Sequence, residues 1–169
     1  MGKGNGSTRA SASGNPRGLG GTENTPLRGL GAIRANIQEA INNGGADWDN
    51  TELVKLRIQE ERTMKEELNK FAGKNGWEKG FNNIKKEYDK NDSAITIMDV
   101  SVSSYNSGID EGPYYAVRVG SSKLSSNQKY TDEVNALWNN NMKFKAAAEA
   151  VRWADSQARR INRKYRGKI

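Results

Sequence analysis

Residues 94–120 read AITIMDVSVSSYNSGIDEGPYYAVRVG, and this stretch decides the fold. Ile95 and Ile97 alternate with polar neighbours, and Met98, Val100 and Val102 then alternate in the opposite phase. A two-residue repeat is the period of a half-buried strand, and a switch of phase predicts a bulge near Met98. Ser103 to Pro113 is polar and predicts a loop. In the second apolar run Tyr115, Val117 and Val119 share one face, and Tyr114, Ala116 and Arg118 share the other. The two runs predict an antiparallel hairpin. Two strands alone are marginal in water, so another element must cover the apolar face.

The end of the chain supplies that cover. Thr131 is a candidate cap, followed by Asp132 and Glu133 in a first turn where the helix dipole favours negative charge. Val134, Leu137 and Trp138 open an apolar side, and Phe144, Ala147, Ala148, Val151, Ala154, Ala158, Ile161 and Tyr165 continue it. Asn139-Asn140-Asn141 marks a break or a frayed turn. The alanines predict close approach of the helix to the sheet.

Upstream, Pro26 suits the first turn of a helix whose face is Leu27, Leu30, Ile33, Ile37 and Ile41, stopped by Gly44-Gly45. Asp49-x-x-Glu52 resembles a capping box before Leu53, Leu56, Met64, Leu68 and Phe71, with favourable i,i+4 pairs Glu61–Lys65 and Glu66–Lys70. Asn75-x-x-Glu78 repeats the start signal, and Trp77, Phe81, Ile84 and Tyr88 follow at helical spacing. Trp48, Trp138 and Trp153 are expected packing anchors. Residues 1–26 hold four apolar side chains and many glycines, too little to offset their ordering entropy. The expected architecture is α+β. It comprises a disordered Gly/Ser-rich basic tail over 1–26, a helical segment of about three helices over 27–93, and a β-hairpin over 94–169 with a long basic C-terminal helix packed on it.

Composition narrows the chemistry. The 169 residues include neither Cys nor His. That excludes disulfides, thiolate nucleophiles, Ser–His–Asp triads and zinc sites built on those ligands. Gly2-Lys3-Gly4-Asn5-Gly6-Ser7-Thr8 lacks the order and the preceding strand of a phosphate-binding loop. Asp47-Trp48-Asp49-Asn50 and Asp89-Lys90-Asn91-Asp92 open like calcium loops but place Ile58 and Val100 where the twelfth-position Glu belongs. Helix capping accounts for both, and neither a metal nor a cofactor is expected. No apolar run is long enough for a membrane span, and no secretory apolar stretch is present. The expected location is cytoplasmic, in a bacterial or host cell, or virion-associated. The abundance of Asn and Lys is an association shared by many small phage and mobile-element proteins of AT-rich genomes.

The net charge of +7 is concentrated at the two ends. Residues 1–28 carry +3, residues 29–151 carry −2 and residues 152–169 carry +6. Arg152, Arg159, Arg163 and Arg166 recur on one helix flank, with Arg160, Lys164 and Lys168 beside or after them. Arginine's planar fork suits phosphate, although cations are also favoured near any helix C-terminus. These seven residues are the candidate polyanion-binding set. The hairpin gathers a second constellation: Asp110 and Glu111 in its loop, Tyr114 and Arg118 on one face, and Tyr105, Lys123, Lys129 and Tyr130 as candidate neighbours. The leading expectation is a non-enzymatic binding protein that engages nucleic acid or another polyanion through its last helix. One alternative is a protein-interaction or virion-structural component docking on an acidic protein surface. Another is a histidine-free, toxin-like ribonuclease using Glu111, Tyr115 and Arg118, with a carboxylate base and Arg and Tyr stabilising charge at phosphorus.

Overall fold

The structure, a computed structural model, describes residues 29–105 and 108–169. The tail expected over 1–26 and the helix start at Pro26 lie outside the described residues. In chain order the elements are α1 (Gly29–Gly44), α2 (Thr51–Asn69), β1 (Glu78–Lys79), β2 (Asn83–Glu87), β3 (Ile97–Ser103), β4 (Tyr114–Gly120), α3 (Gln128–Trp138), β5 (Lys143–Phe144) and α4 (Ala147–Tyr165). By its contacts the chain divides into residues 1–35 and residues 36–169, and the sheet with α2, α3 and α4 belongs wholly to the second unit.

The α+β class and the covering C-terminal helix are as expected. The hairpin is part of a larger element: β3 and β4 are two of the three inner strands of an antiparallel sheet with five strands among the described residues, in the order β1-β2-β3-β4-β5. Register across β3 and β4 runs one-to-one from Ile97↔Gly120 to Ser103↔Tyr114, so there is no bulge at Met98. The phase switch has another cause. Ile95 precedes the strand, and its backbone N–H donates to Asn162 Oδ1 of α4 at 2.8 Å, which buries it beside a helix. Met98, Val100 and Val102, with Tyr115, Val117 and Val119, form the covered face. Ile84 of β2 joins them, paired across the sheet with Val100.

The third N-terminal helix does not form; Glu78–Lys79 and Asn83–Glu87 are strands. Asn75 at φ +53° and Gly76 at φ +84° put two consecutive residues in the left-handed region, where no right-handed helix continues. Gly80 and Asn83 then close a tight hairpin, with the Gly80 N–H donating to the Asn83 carbonyl at 2.8 Å. Trp77 and Ile84 reach the core, whereas Phe81 at the hairpin tip is 93% exposed.

Helix starts also shifted. Asn50, not Asp49, caps α2: its Oδ1 accepts from the Leu53 N–H at 3.2 Å, and its Nδ2 donates to the carbonyls of Ala40 and Gly45, tying residues 40–45 to the start of α2. Asn127, not Thr131, caps α3. Asp47 and Asp89 each accept a backbone N–H two residues on, which is turn chemistry. The asparagine run ends α3, and the chain makes the short edge strand β5 before α4 begins. Helix α4 lies against β3 and β4, α3 against β4, and α2 against β2 and β3. Ala147, Ala150, Ala154 and Ala158 are all buried, so the predicted alanine contact is present, whereas Ala148 points to solvent. Three of the four tryptophans differ from the expectation. Trp48 and Trp138 are 52% and 41% exposed and Trp153 is half-buried, while Trp77 is the one fully enclosed.

Candidate functional site

The buried stripe of α4 comprises Ala147, Ala150, Val151, Ala154, Ala158, Ile161 and Tyr165. At 3.6 residues per turn, Arg152, Arg159 and Arg163 fall on the side of the helix opposite that stripe. They are exposed, as are Arg166 and Lys168 just after the last turn. None of these five cations makes an ion pair among the described residues. The first turn of α4 has no side-chain cap, and its exposed face carries charge rather than apolar groups.

Arg160 and Lys164 behave differently. They lie toward α3, where Arg160 Nη1 meets Glu133 Oε1 at 3.1 Å and Lys164 Nζ meets Glu133 Oε2 at 2.9 Å. The Tyr165 hydroxyl also donates to Glu133 Oε2. These donors, Tyr165 foremost, pull the Glu133 carboxyl down to about 2 against the opposing effect of its partial desolvation. Lys164 is raised in turn, chiefly by its bond to Glu133. A carboxyl depressed on folding contributes stability that is complete above its unfolded value, near 4.3, and is lost as pH falls through the folded value. Glu133→Gln should therefore lower the midpoint of thermal unfolding at pH 6, and the gap from the parent protein should close as pH drops from about 4.5 to about 2. Melting curves followed by circular dichroism across that range check it; a gap independent of pH would remove Glu133 as the acid-sensitive group.

Tyr88, at the end of β2, is close enough to α4 to feel Asp155 and Arg159. Burial, and then Asp155, push its hydroxyl up to about 12, while Arg159 pulls the other way. The phenol is therefore neutral at physiological pH, beside the middle of the arginine row.

The hairpin constellation comes apart. Tyr115 is fully buried on the covered face and donates its hydroxyl to the Met64 carbonyl of α2 at 2.7 Å. Arg118 lies on the opposite, solvent face of the sheet, so Glu111, Tyr115 and Arg118 do not converge. Glu111 pairs instead with Lys143 of β5 at 3.0 Å. Tyr105 packs on Trp48, Lys123 donates to the Asn91 carbonyl, Lys129 is exposed and Tyr130 is buried with its hydroxyl on the Ala94 carbonyl.

Tyr114 and Arg118 do share a face, and they border a cleft of about 500 Å³ between β4 and the connector from α3 to β5. Trp138, Asn141 and Lys143 are also among its lining residues. The Trp138 ring rests on Gly120, where an added Cβ would lie 2.4 Å from the indole, so only glycine admits the ring there. The Arg118 guanidinium sits 5.2 Å from the centre of that ring, and Lys143 Nζ sits 4.7 Å from that of Tyr114.

A further polar group was not anticipated. Arg57 and Glu60 of α2 are buried and paired at 2.7 Å. Arg57 also donates through Nε to the Ile109 carbonyl at 2.9 Å and through Nη2 to the Asp110 carbonyl at 2.7 Å, holding the β3–β4 loop. A signal existed: Leu53, Leu56 and Met64 leave a gap on the apolar face, and Arg57 and Glu60 fill it at helical spacing. Comparisons with protein-family models, with curated proteins and with solved structures yield no match to this chain.

Proposed function

We propose that this chain is a non-enzymatic nucleic-acid-binding protein, and that α4 and the residues just after it make the contact through Arg152, Arg159, Arg163, Arg166 and Lys168. One observation carries the reading. All five are exposed, and none spends its charge on an acid among the described residues. An unpaired surface cation costs little to keep, but a row of them along one helix raises the local concentration of anions. From Arg152 to Arg163 the helix rises about 16 Å, so the row spans several phosphates of a strand. The contacts reach phosphate rather than base edges, so they give affinity and position without sequence preference. No helix among the described residues is long and apolar enough to cross a membrane, and the apolar stripe of α4 is used by the sheet, which disfavours a lipid surface for the same cations.

Binding to duplex DNA or RNA should weaken steeply with salt. Four or five phosphate contacts imply a loss of order 10² to 10³ in affinity between about 50 and about 200 mM salt. Replacing Arg152, Arg159 and Arg163 together by Gln should reduce the slope of log K against log salt by about 2.7. Glu133→Gln should act in the opposite sense, because it frees Arg160 and Lys164. Fluorescence anisotropy with a labelled duplex measures all three proteins. Failure to bind at about 50 mM salt, or a triple variant with the parent slope, would remove α4 as the interface.

A further inference from the structure

We infer that the cleft beside β4 binds a nucleotide unit, with its base against the Trp138 indole and its phosphate on Arg118. This site is independent of the α4 reading, since α4 covers one face of the sheet and Arg118 and Trp138 lie on the other. A volume of about 500 Å³ is within the range of small-molecule sites. The lining contains two cations and no carboxylate. Glu111, outside the cleft, neutralises Lys143. Asp99, opposite Arg118 on β3, accepts a hydrogen bond from Asn83 and makes no ion pair among the described residues. The Arg118 guanidinium makes no ion pair among the described residues and faces a lining without a carboxylate, so the preferred occupant is an anion.

The indole supplies the second half. Trp138 is held over Gly120 by the absence of a side chain there, yet remains 41% exposed. An indole fixed in place and left open to solvent is a ready stacking surface, and stacking on an aromatic ring tolerates any base. The Arg118 guanidinium is 5.2 Å from the ring centre, so one ligand carrying both a planar ring and a phosphate can displace it from the indole and satisfy both. At the rim, Asn139 and Asn140 are engaged in local bonds, but the Asn141 amide makes no hydrogen bond among the described residues. Its donor and acceptor are free for a base edge. The nucleotide unit can come from a free mononucleotide or from a single strand.

Titration of the ¹⁵N-labelled full chain tests this by following the tryptophan indole N–H signals. The Trp138 signal is identified by its loss in Trp138→Phe. AMP should shift it saturably with a dissociation constant of about 0.1–1 mM, and adenosine, which lacks the phosphate, should bind about tenfold or more weakly. Arg118→Gln, a change at an exposed position, should weaken AMP by about tenfold or more. Gly120→Val, which displaces the indole, should do so as well. The Arg152, Arg159 and Arg163 triple variant should bind AMP like the parent, which separates this site from the α4 interface. Tighter binding of a short oligoadenylate than of AMP identifies a single strand as the source, and equal binding identifies the free nucleotide. No shift of the Trp138 signal with about 5 mM AMP or oligoadenylate, or an equal shift in Arg118→Gln, would overturn the site.

Discussion

Arg57→Ala is expected to lower the unfolding free energy by about 3–5 kcal/mol, at the upper end of what one substitution does. The side chain is 4% exposed and its three donors meet Glu60, Ile109 and Asp110. Removing it takes from the Glu60 carboxylate, itself 1% exposed, the buried ion pair at 2.7 Å. It also releases the β3–β4 loop from α2. The thermal midpoint should fall by about 10–20 °C for a domain of this size, measured by calorimetry. Arg57→Met with Glu60→Leu should cost less than the arginine loss alone, because both halves of the buried ion pair are then removed together. Gly112→Ala should be strongly non-additive with Arg57→Ala. Gly112 has φ +79°, and an added Cβ would lie 2.3 Å from Arg57 Nη1, so part of its cost disappears once the guanidinium is gone. A double change at 57 and 60 as damaging as the arginine loss alone would show that packing, not the buried charge, governs this region.

Ala154→Leu is the second large effect, expected at about 1–3 kcal/mol or somewhat more. Ala154 is completely buried on the side of α4 that meets β3 and β4. Three more methylene-sized groups there push the helix off the sheet, and the interior is packed too densely to absorb them. Ala148→Leu, just inside the start of the same helix, is the control. Ala148 faces solvent, so its change should stay within about 0.5 kcal/mol. Urea unfolding of the two variants measures both. Equal midpoints would mean that the alanines are not what sets the helix–sheet distance.

The alternation in Tyr115, Val117 and Val119 was enough to place β4, because period two survives wherever one face is buried. The alanine stripe of α4 and the solvent-facing arginines were legible for the same reason at period 3.6. Residues 75–88 were not, because Trp77, Phe81, Ile84 and Tyr88 happen to fit helical spacing. The turn residues Asn75, Gly76 and Gly80 overrode that pattern, and the exposed Phe81 shows that it was no stripe at all. The trio Glu111, Tyr115 and Arg118 does not gather on one face: Tyr115 and Arg118 are three apart on a strand, hence on opposite faces. The cleft was half legible, since Tyr114 and Arg118 shared a face in sequence, but nothing local could announce that Trp138 and Lys143 would join them.

By itself the amino-acid order settled the α+β class, the inner hairpin, the covering helix and the side of that helix on which the arginines lie. Each follows from a repeat within a few neighbouring residues. Tertiary structure alone decided which cations stay free, because Glu133 is 27 and 31 residues from the Arg160 and Lys164 it holds. It also decided that the β3–β4 loop is tied to Arg57, more than fifty residues earlier in the chain. Pairings over such separations depend on how the layers stack, and no local period encodes that.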